Sequence, residues 1–287
     1  MARRASSSKF VVIAAFLGNL LVALTKFAAA WWTGSSAMLS EAIHSLVDTI
    51  NQVLLLYGMH RSSKPPDDIH PLGYGREIYF WSFTVALMMF TIGAGVTMLE
   101  GISHIRNPES IVDPAVSYVV LGLSFLFEGT TLLLALQKFR KKKGAVGYFE
   151  ALKRSKDPPT FIVVFEDSAA LLGLLIAFVG TFLAEQLNMP LLDGAASIGI
   201  SIVLAITAFS LARESKGLLI GEAASQKVRD SIAEIARGEP NIERADVILT
   251  VHLAPDQIVV ALSVEFADKL TTTSIEEAVL ALEQSIQ

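Results

Sequence analysis

Long apolar runs alternate with short polar interruptions up to about Gly221, where the pattern changes. A membrane-spanning helix needs roughly 20 mostly apolar residues. Six windows meet that need: Phe10–Trp32, Ala37–Met59, Ile78–Gly101, Val112–Leu136, Thr160–Leu183 and Leu192–Leu211. The first exceeds the ~7–15 apolar residues of a cleaved signal and other spans follow it, so it is expected to remain in the protein. Beyond Gly221 the periods are those of a small α+β unit. Residues 223–236 predict a helix with Val228, Ile232 and Ile235 on one face. Ala245–Val251 and Ile258–Phe266 alternate as strands do, joined by a turn through Pro255 and Asp256. Thr273 or Ser274 caps a helix over Ile275–Ile286, with Glu276 and Glu277 in its first turn. The order helix, strand, strand, helix approaches a split β-α-β layer that one further strand would complete. The chain stops at Gln287, as a truncated sequence would. The expected fold class is an α-helical membrane protein: six transmembrane helices in residues 1–221, then a small α+β domain in residues 222–287.

Composition narrows the class. Of 287 residues, 52% are hydrophobic and only 18% charged, against about 25% charged in soluble domains, and the mean hydropathy is +0.52. An ordinary soluble globule is not expected, and a disordered chain is excluded. The absence of cysteine excludes a disulfide scaffold, a thiolate zinc site and a cysteine nucleophile. A net charge of −5 gives no reason to expect nucleic acid as a partner. The charge is uneven: residues 1–221 hold 18 basic and 16 acidic side chains, residues 222–287 hold 5 and 12. Within the membrane part, 14 basic residues fall in the N-terminal segment and the connections around Arg61–Arg76 and Lys138–Lys156, while the opposite loops hold Arg106 alone. By the positive-inside rule both termini are expected in the cytosol, with Trp31 and Trp32 at the outer interface.

The second window is apolar except for a polar face. Ser40, His44, Asp48 and Asn51 recur at intervals of four, four and three residues, one side of a helix. An ionisable group deep in a span costs at least ~2.5–3.5 kcal/mol on insertion scales, so it lines a pathway or has a partner. His44 and Asp48 lie one turn apart and can bind one ion together, or they form a hydrogen-bonded pair that holds helices. The fifth window adds Glu166 and Asp167, which point ~100° apart on a helix and so do not both face one ion. Carboxylates with an imidazole suit Zn²⁺, Mn²⁺, Co²⁺ or Fe²⁺. Lys26 is expected to snorkel or pair, Glu128 and Glu100 to meet a cation or exchange protons, and Asp193 to favour the start of its helix. His252 reads as a surface histidine.

Several of these features together resemble the cation diffusion facilitator family. They are the six windows, His44-Ser-Leu-Val-Asp48, the acid in the fifth window, the loop Pro66–Glu77, Asn19, the Gly34–Ala37 connection and the Asp193-Gly-Ala-Ala-Ser segment. The resemblance covers nearly the whole chain. It implies a homodimeric metal/proton antiporter that exports Zn²⁺ or a similar divalent ion from the cytosol by alternating access, with a ferredoxin-like cytosolic domain that dimerises. It implies metal ligands at His44, Asp48 and Asp167. The remaining position of the usual set falls on Val163, which has no donor. The segment Glu166-Asp-Ser-Ala-Ala170 resembles that of one branch of the family; either Glu166 or water then fills the fourth place, or the site is three-coordinate, or selectivity is changed. A minor loop site would use Asp68 and His70, with Tyr74 where a second His is usual. No catalytic chemistry and no resident cofactor are expected; the metal is cargo, and the lipid bilayer and a second copy are the partners. The competing expectation is a metal-responsive membrane regulator that has lost transport.

Overall fold

The computed structural model describes residues 2–109, 111, 113–143 and 158–286. The expected anchoring charges at Lys153, Arg154 and Lys156 lie outside those residues. Among the described residues, six long helical segments come first. They are α1 (Ala2–Thr33), α2 (Ser36–Ser62), α3 (Glu77–Met88) with a π-helical turn (Met89–Ala94) leading into α4 (Gly95–Arg106), α5 (Pro114–Lys143), α6 (Pro158–Leu187) and α7 (Leu191–Ile220). A short helix α8 (Gln226–Arg237), strands β1 (Ile242–Ala254) and β2 (Gln257–Phe266), and helix α9 (Thr272–Ile286) complete the chain.

Among the described residues, four segments are long and apolar enough to cross a membrane: Glu77–Arg106, Pro114–Leu134, Phe161–Leu187 and Leu191–Ile220. They coincide with the third to sixth windows. Helix α2 has the length, but it spends much of its surface on buried polar side chains: Ser40, Glu41, His44, Ser45 and Asn51. Large apolar residues such as Leu99, Leu126, Ile206 and Phe209 are exposed on the outer faces of the helices. Apolar surface on that scale fits a lipid environment and not water.

Two buried clusters hold the helices together. One is rich in alanine and joins Ala37 and Met38 of α2 to Ala169, Leu174 and Ala177 of α6 and Ile200 of α7. The other is bulkier and joins Val47 and Leu55 of α2, Tyr79 and Val85 of α3, Phe161 and Ile162 of α6, and Leu211 and Leu218 of α7. On α2 the polar residues Ser40, Glu41, His44 and Ser45 fall between Met38 and Val47, with Asp48 and Asn51 just beyond, and on α6 Glu166 and Asp167 fall between Ile162 and Ala169. Small residues let helices approach without polar glue. A Cβ on Gly101 of α4 would stand 2.9 Å from the Gly194 carbonyl of α7, so these two backbones touch.

Several helices run past their expected limits: α1 starts at Ala2, α4 ends at Arg106 and α5 at Lys143, against Phe10, Gly101 and Leu136. Helix α7 runs to Ile220, nine residues beyond the predicted Leu211. The sequence turns charged there at Arg213, Glu214 and Lys216, but Leu204, Ala208, Leu211, Ser215 and Leu218 continue one buried stripe at helical spacing. The helix ends at Gly221, whose φ of 112° is a left-handed conformation that glycine adopts without a side-chain penalty. Helix α6 begins at Pro158, two residues before the predicted start.

The C-terminal unit has a two-stranded antiparallel sheet with α8 and α9 packed through Ala236, Ile242, Ala245 and Leu282. The third strand of a ferredoxin-like layer is not among the described residues. Thr271 holds the start of α9, its hydroxyl accepting the Ser274 amide at 3.3 Å. His252 is not a surface residue: it is 5% exposed. Strand alternation turns Thr250 and His252 inward, toward the segment leaving α7. There the Thr250 hydroxyl accepts the Ala224 amide at 3.1 Å and the His252 amide donates to the Glu222 carbonyl at 3.1 Å.

Candidate metal centre

The start of α2 is fixed from α7. The Asp193 carboxylate is buried and accepts hydrogen bonds from the Ser35 hydroxyl (2.9 Å), the Ala37 amide (3.1 Å) and the Thr181 hydroxyl (3.2 Å). Ser35 in turn caps the helix by accepting the Met38 amide. A carboxylate at a helix N-terminus meets unsatisfied amides and the positive end of the dipole. Here one Asp serves the first turns of two helices, α7 and α2. That connection sets the height and rotation of every polar residue that follows on α2.

Those residues divide between two faces. Toward α6, the Asn51 amide donates to Glu166 Oε1 at 2.7 Å, and Glu166 is buried. Toward α1 and α5, Glu41 and Ser45 meet Lys26. The Lys26 ammonium is fully buried and donates to Glu128 Oε1 at 2.8 Å, Ser45 Oγ at 2.9 Å and Glu41 Oε2 at 3.1 Å. Between these contacts lies a cavity of about 20 Å³ lined by Asn19, Ser45, Asp48, Glu128, Thr131 and Asp167, among others. The enclosed part of this space holds about one water-sized guest, room for an ion.

His44 is fully buried, with Nε2 3.5 Å from Asp48 Oδ2. Asp48 Oδ1, Asp167 Oδ2, Glu128 Oε2 and both His44 ring nitrogens are buried without a hydrogen-bond partner. Native interiors leave few such atoms unpaired, and each one calls for an explanation. Among the described residues, no three His, Asp or Glu side chains converge closely enough, as they stand, to hold a metal ion.

Of the expected site residues, Asp48 and Asp167 share the cavity, and His44 stands one turn from Asp48. Glu166 does not line the cavity, because the ~100° between neighbours on a helix turns it to Asn51. Val163 lies one turn before Asp167, where it brings no donor. The sequence reading left out Glu41, whose spacing of four and seven residues from Ser45 and Asp48 places it on their face. It also left open that Lys26 and Glu128 pair with each other.

The loop before α3 is organised differently from expectation. The carboxylate that approaches His70 is that of Asp67, not Asp68. Asp67 accepts the Ile69 and His70 amides at 3.1 and 2.7 Å and the Tyr74 hydroxyl at 2.6 Å. The Tyr74 hydroxyl first, and the backbone amides with it, hold the Asp67 carboxyl below its ordinary range. The same bond raises the Tyr74 phenol. Asp67 thus closes a hydrogen-bonded turn of the kind Asp favours. The loop is then pinned to α2 by Arg61, which donates to Glu77 at 2.8 Å.

The cation efflux transmembrane domain matches residues 12–220. The chain is 32% identical over 270 residues to the mitochondrial proton-coupled zinc antiporter SLC30A9 of Xenopus laevis, covering 93% of this chain and 48% of that protein. It is 32% identical over 239 residues to metal tolerance protein C4 of Arabidopsis thaliana, covering 82% and 52%. It is 25% identical over 282 residues to the cation-efflux pump FieF of Shigella boydii, covering 97% and 87%. The chain spans about half the length of the first two relatives.

Proposed function

The chain belongs to the cation efflux, or cation diffusion facilitator, family, and we propose that it exchanges a divalent metal ion, Zn²⁺ foremost, for protons across a membrane. The observation that carries this reading is the meeting of Asp48 from α2 and Asp167 from α6 at one small, partly enclosed cavity, with His44 a turn away. In this reading α1 and α2 also span the bilayer, which makes six spans with both termini in the cytosol. The α+β unit serves a homodimer. A relative described as a proton-coupled zinc antiporter and others described as a metal tolerance protein and a cation-efflux pump support transport, and they lend no support to a regulator without it.

The chemistry follows from the donors. A dication entering a low-dielectric cavity needs anionic ligands, because water compensates only in part there. Side-chain rotation brings Asp48, Asp167 and His44 onto the ion. Metal binding requires these groups deprotonated, so it displaces protons from them. When the cavity opens to the other side, protons compete for the same groups and release the metal. Alternating exposure of one midplane site then couples the two flows, and no covalent step is involved.

The test is transport by the full chain in sealed vesicles with a zinc-sensitive dye inside and a proton gradient. Zinc-dependent proton movement in the opposite direction is expected. Its absence in vesicles that contain folded protein overturns the reading.

A further inference from the structure

The cavity has a wall that the family's metal motif does not include. Glu128 of α5 lines it together with Asp48 and Asp167. One Glu128 oxygen is held by Lys26 at 2.8 Å, and the other is buried and without a partner. Lys26 has three ammonium donors and spends all three on Glu128, Ser45 and Glu41. Lys26 and Glu41 are both fully inaccessible, and a Cβ at Gly173 would collide with Glu41 Oε1, so α6 leaves Glu41 just enough room. The fourth position of the usual ligand set is vacant of donors at Val163, and Glu166 is committed to Asn51.

We propose that Glu128 is the fourth ligand of the transported metal and that Lys26 is a tethered counter-ion that competes with the metal for it. The inference rests on the transport reading above. In the metal-free protein the ammonium stands in for part of the missing positive charge and keeps Glu128 beside the cavity. When a dication enters, the free Oε2 of Glu128 turns onto it while Oε1 stays near Lys26. The ligands are then one imidazole and three carboxylates. The ammonium repels the dication across a few ångströms of poorly screening interior. Binding is therefore weaker than four good ligands alone would give, and release is correspondingly faster. A transporter must let go of its cargo, and a fixed positive charge beside the site serves that end. Glu41 does not line the cavity; it completes the charge balance of Lys26 on the far side.

The experiment uses the full chain in nanodiscs, titrated with Zn²⁺ against a chromophoric chelator, with zinc flux measured in parallel. Glu128→Gln should weaken zinc binding about tenfold or more, by analogy with the 10–100-fold cost of losing a group that supports a metal site. Lys26→Gln combined with Glu41→Gln removes the ammonium together with one carboxylate outside the cavity. It should tighten zinc binding and lower the rate of flux, an opposite movement that a purely structural role would not produce. Asp48→Asn is the control. If it binds zinc as the unaltered chain does, the transport-site reading itself fails. If Asp48→Asn loses zinc while Glu128→Gln keeps it fully, the assignment of Glu128 alone is overturned. If the double variant binds zinc no more tightly than the unaltered chain, the role of Lys26 is overturned. Should a variant not fold, the structure of the zinc-loaded, unaltered chain decides: a Glu128 oxygen about 2.0–2.2 Å from the metal is expected, and a Glu128 still turned away from it contradicts the proposal.

Discussion

Replacing Lys26 with methionine is the sharpest test of how the buried charges support the fold. The change keeps most of the volume and removes the ammonium. At 2.8 and 3.1 Å from two carboxylate oxygens, each attraction is gross ~5–6 kcal/mol at an effective dielectric of 20. Most of that gross value is offset by the cost of burying the ions. The net loss is set by what remains: Glu41 wholly buried and Glu128 12% exposed, both without their cation. Breaking a buried ion pair by removing one partner costs about 3–5 kcal/mol. For a chain of this size that corresponds to a fall in melting midpoint of roughly 10 °C. The same reasoning predicts recovery. The triple variant Lys26→Met, Glu41→Gln, Glu128→Gln leaves none of the three charges unpaired and should regain most of the loss, although the loss of Glu128 should still weaken its zinc binding. Thermal unfolding of the full chain in detergent, followed by circular dichroism, reads both steps. A Lys26→Met protein as stable as the unaltered chain would refute the reasoning, as would a triple variant less stable than the single one.

Four further outcomes can be checked. Asp193→Ala leaves the Ser35 hydroxyl, the Ala37 amide and the Thr181 hydroxyl unpaired and should cost about 3 kcal/mol or more, seen as a lower unfolding midpoint with α2 less protected in hydrogen exchange. Val163→His supplies an imidazole one turn before Asp167, and vesicle uptake should shift toward zinc relative to manganese. The hydrogen bonds to Asp67 hold its carboxyl below the ordinary range, so their contribution is present above that range and lost as pH falls through the lowered value. Pepsin should cut the 63–76 loop only in strong acid, whereas Asp67→Ala should be cut at milder acidity as well. The chain has no cysteine, so Gln186→Cys and Asp256→Cys report orientation cleanly; an impermeant thiol reagent should label the first and spare the second in intact cells, and the reverse pattern would contradict the proposed orientation.

Much of this architecture is legible in the sequence because membrane helices declare themselves by length and hydropathy. The windows from Ile78 onward match described helices to within a few residues at most ends, and the α+β tail shows in its strand alternation. The failures have physical causes. The charged run at Arg213–Lys216 masks a buried stripe that keeps α7 helical through it. His252 looks like a lone surface residue because a two-residue alternation does not say which face a strand buries. At the site, His44 and Asp48 are visible as one turn of one helix. Lys26 and Glu128 are 102 positions apart, and only tertiary packing joins them. Glu41 escapes because an acid near the start of a helix is ordinarily read as helix-end electrostatics. Asp67 and Asp68 are indistinguishable by composition, and the turn alone selects the first.

The claim that one cavity between α2 and α6 carries the metal is tested most directly by flux through single substitutions that keep volume and remove charge. Asp48→Asn and Asp167→Asn, each reconstituted in sealed vesicles beside the unaltered chain, are given zinc with an opposing proton gradient. The account predicts coupled zinc and proton movement for the unaltered chain and neither for the two variants, with all three folded. Full zinc-driven proton movement by both variants would contradict it.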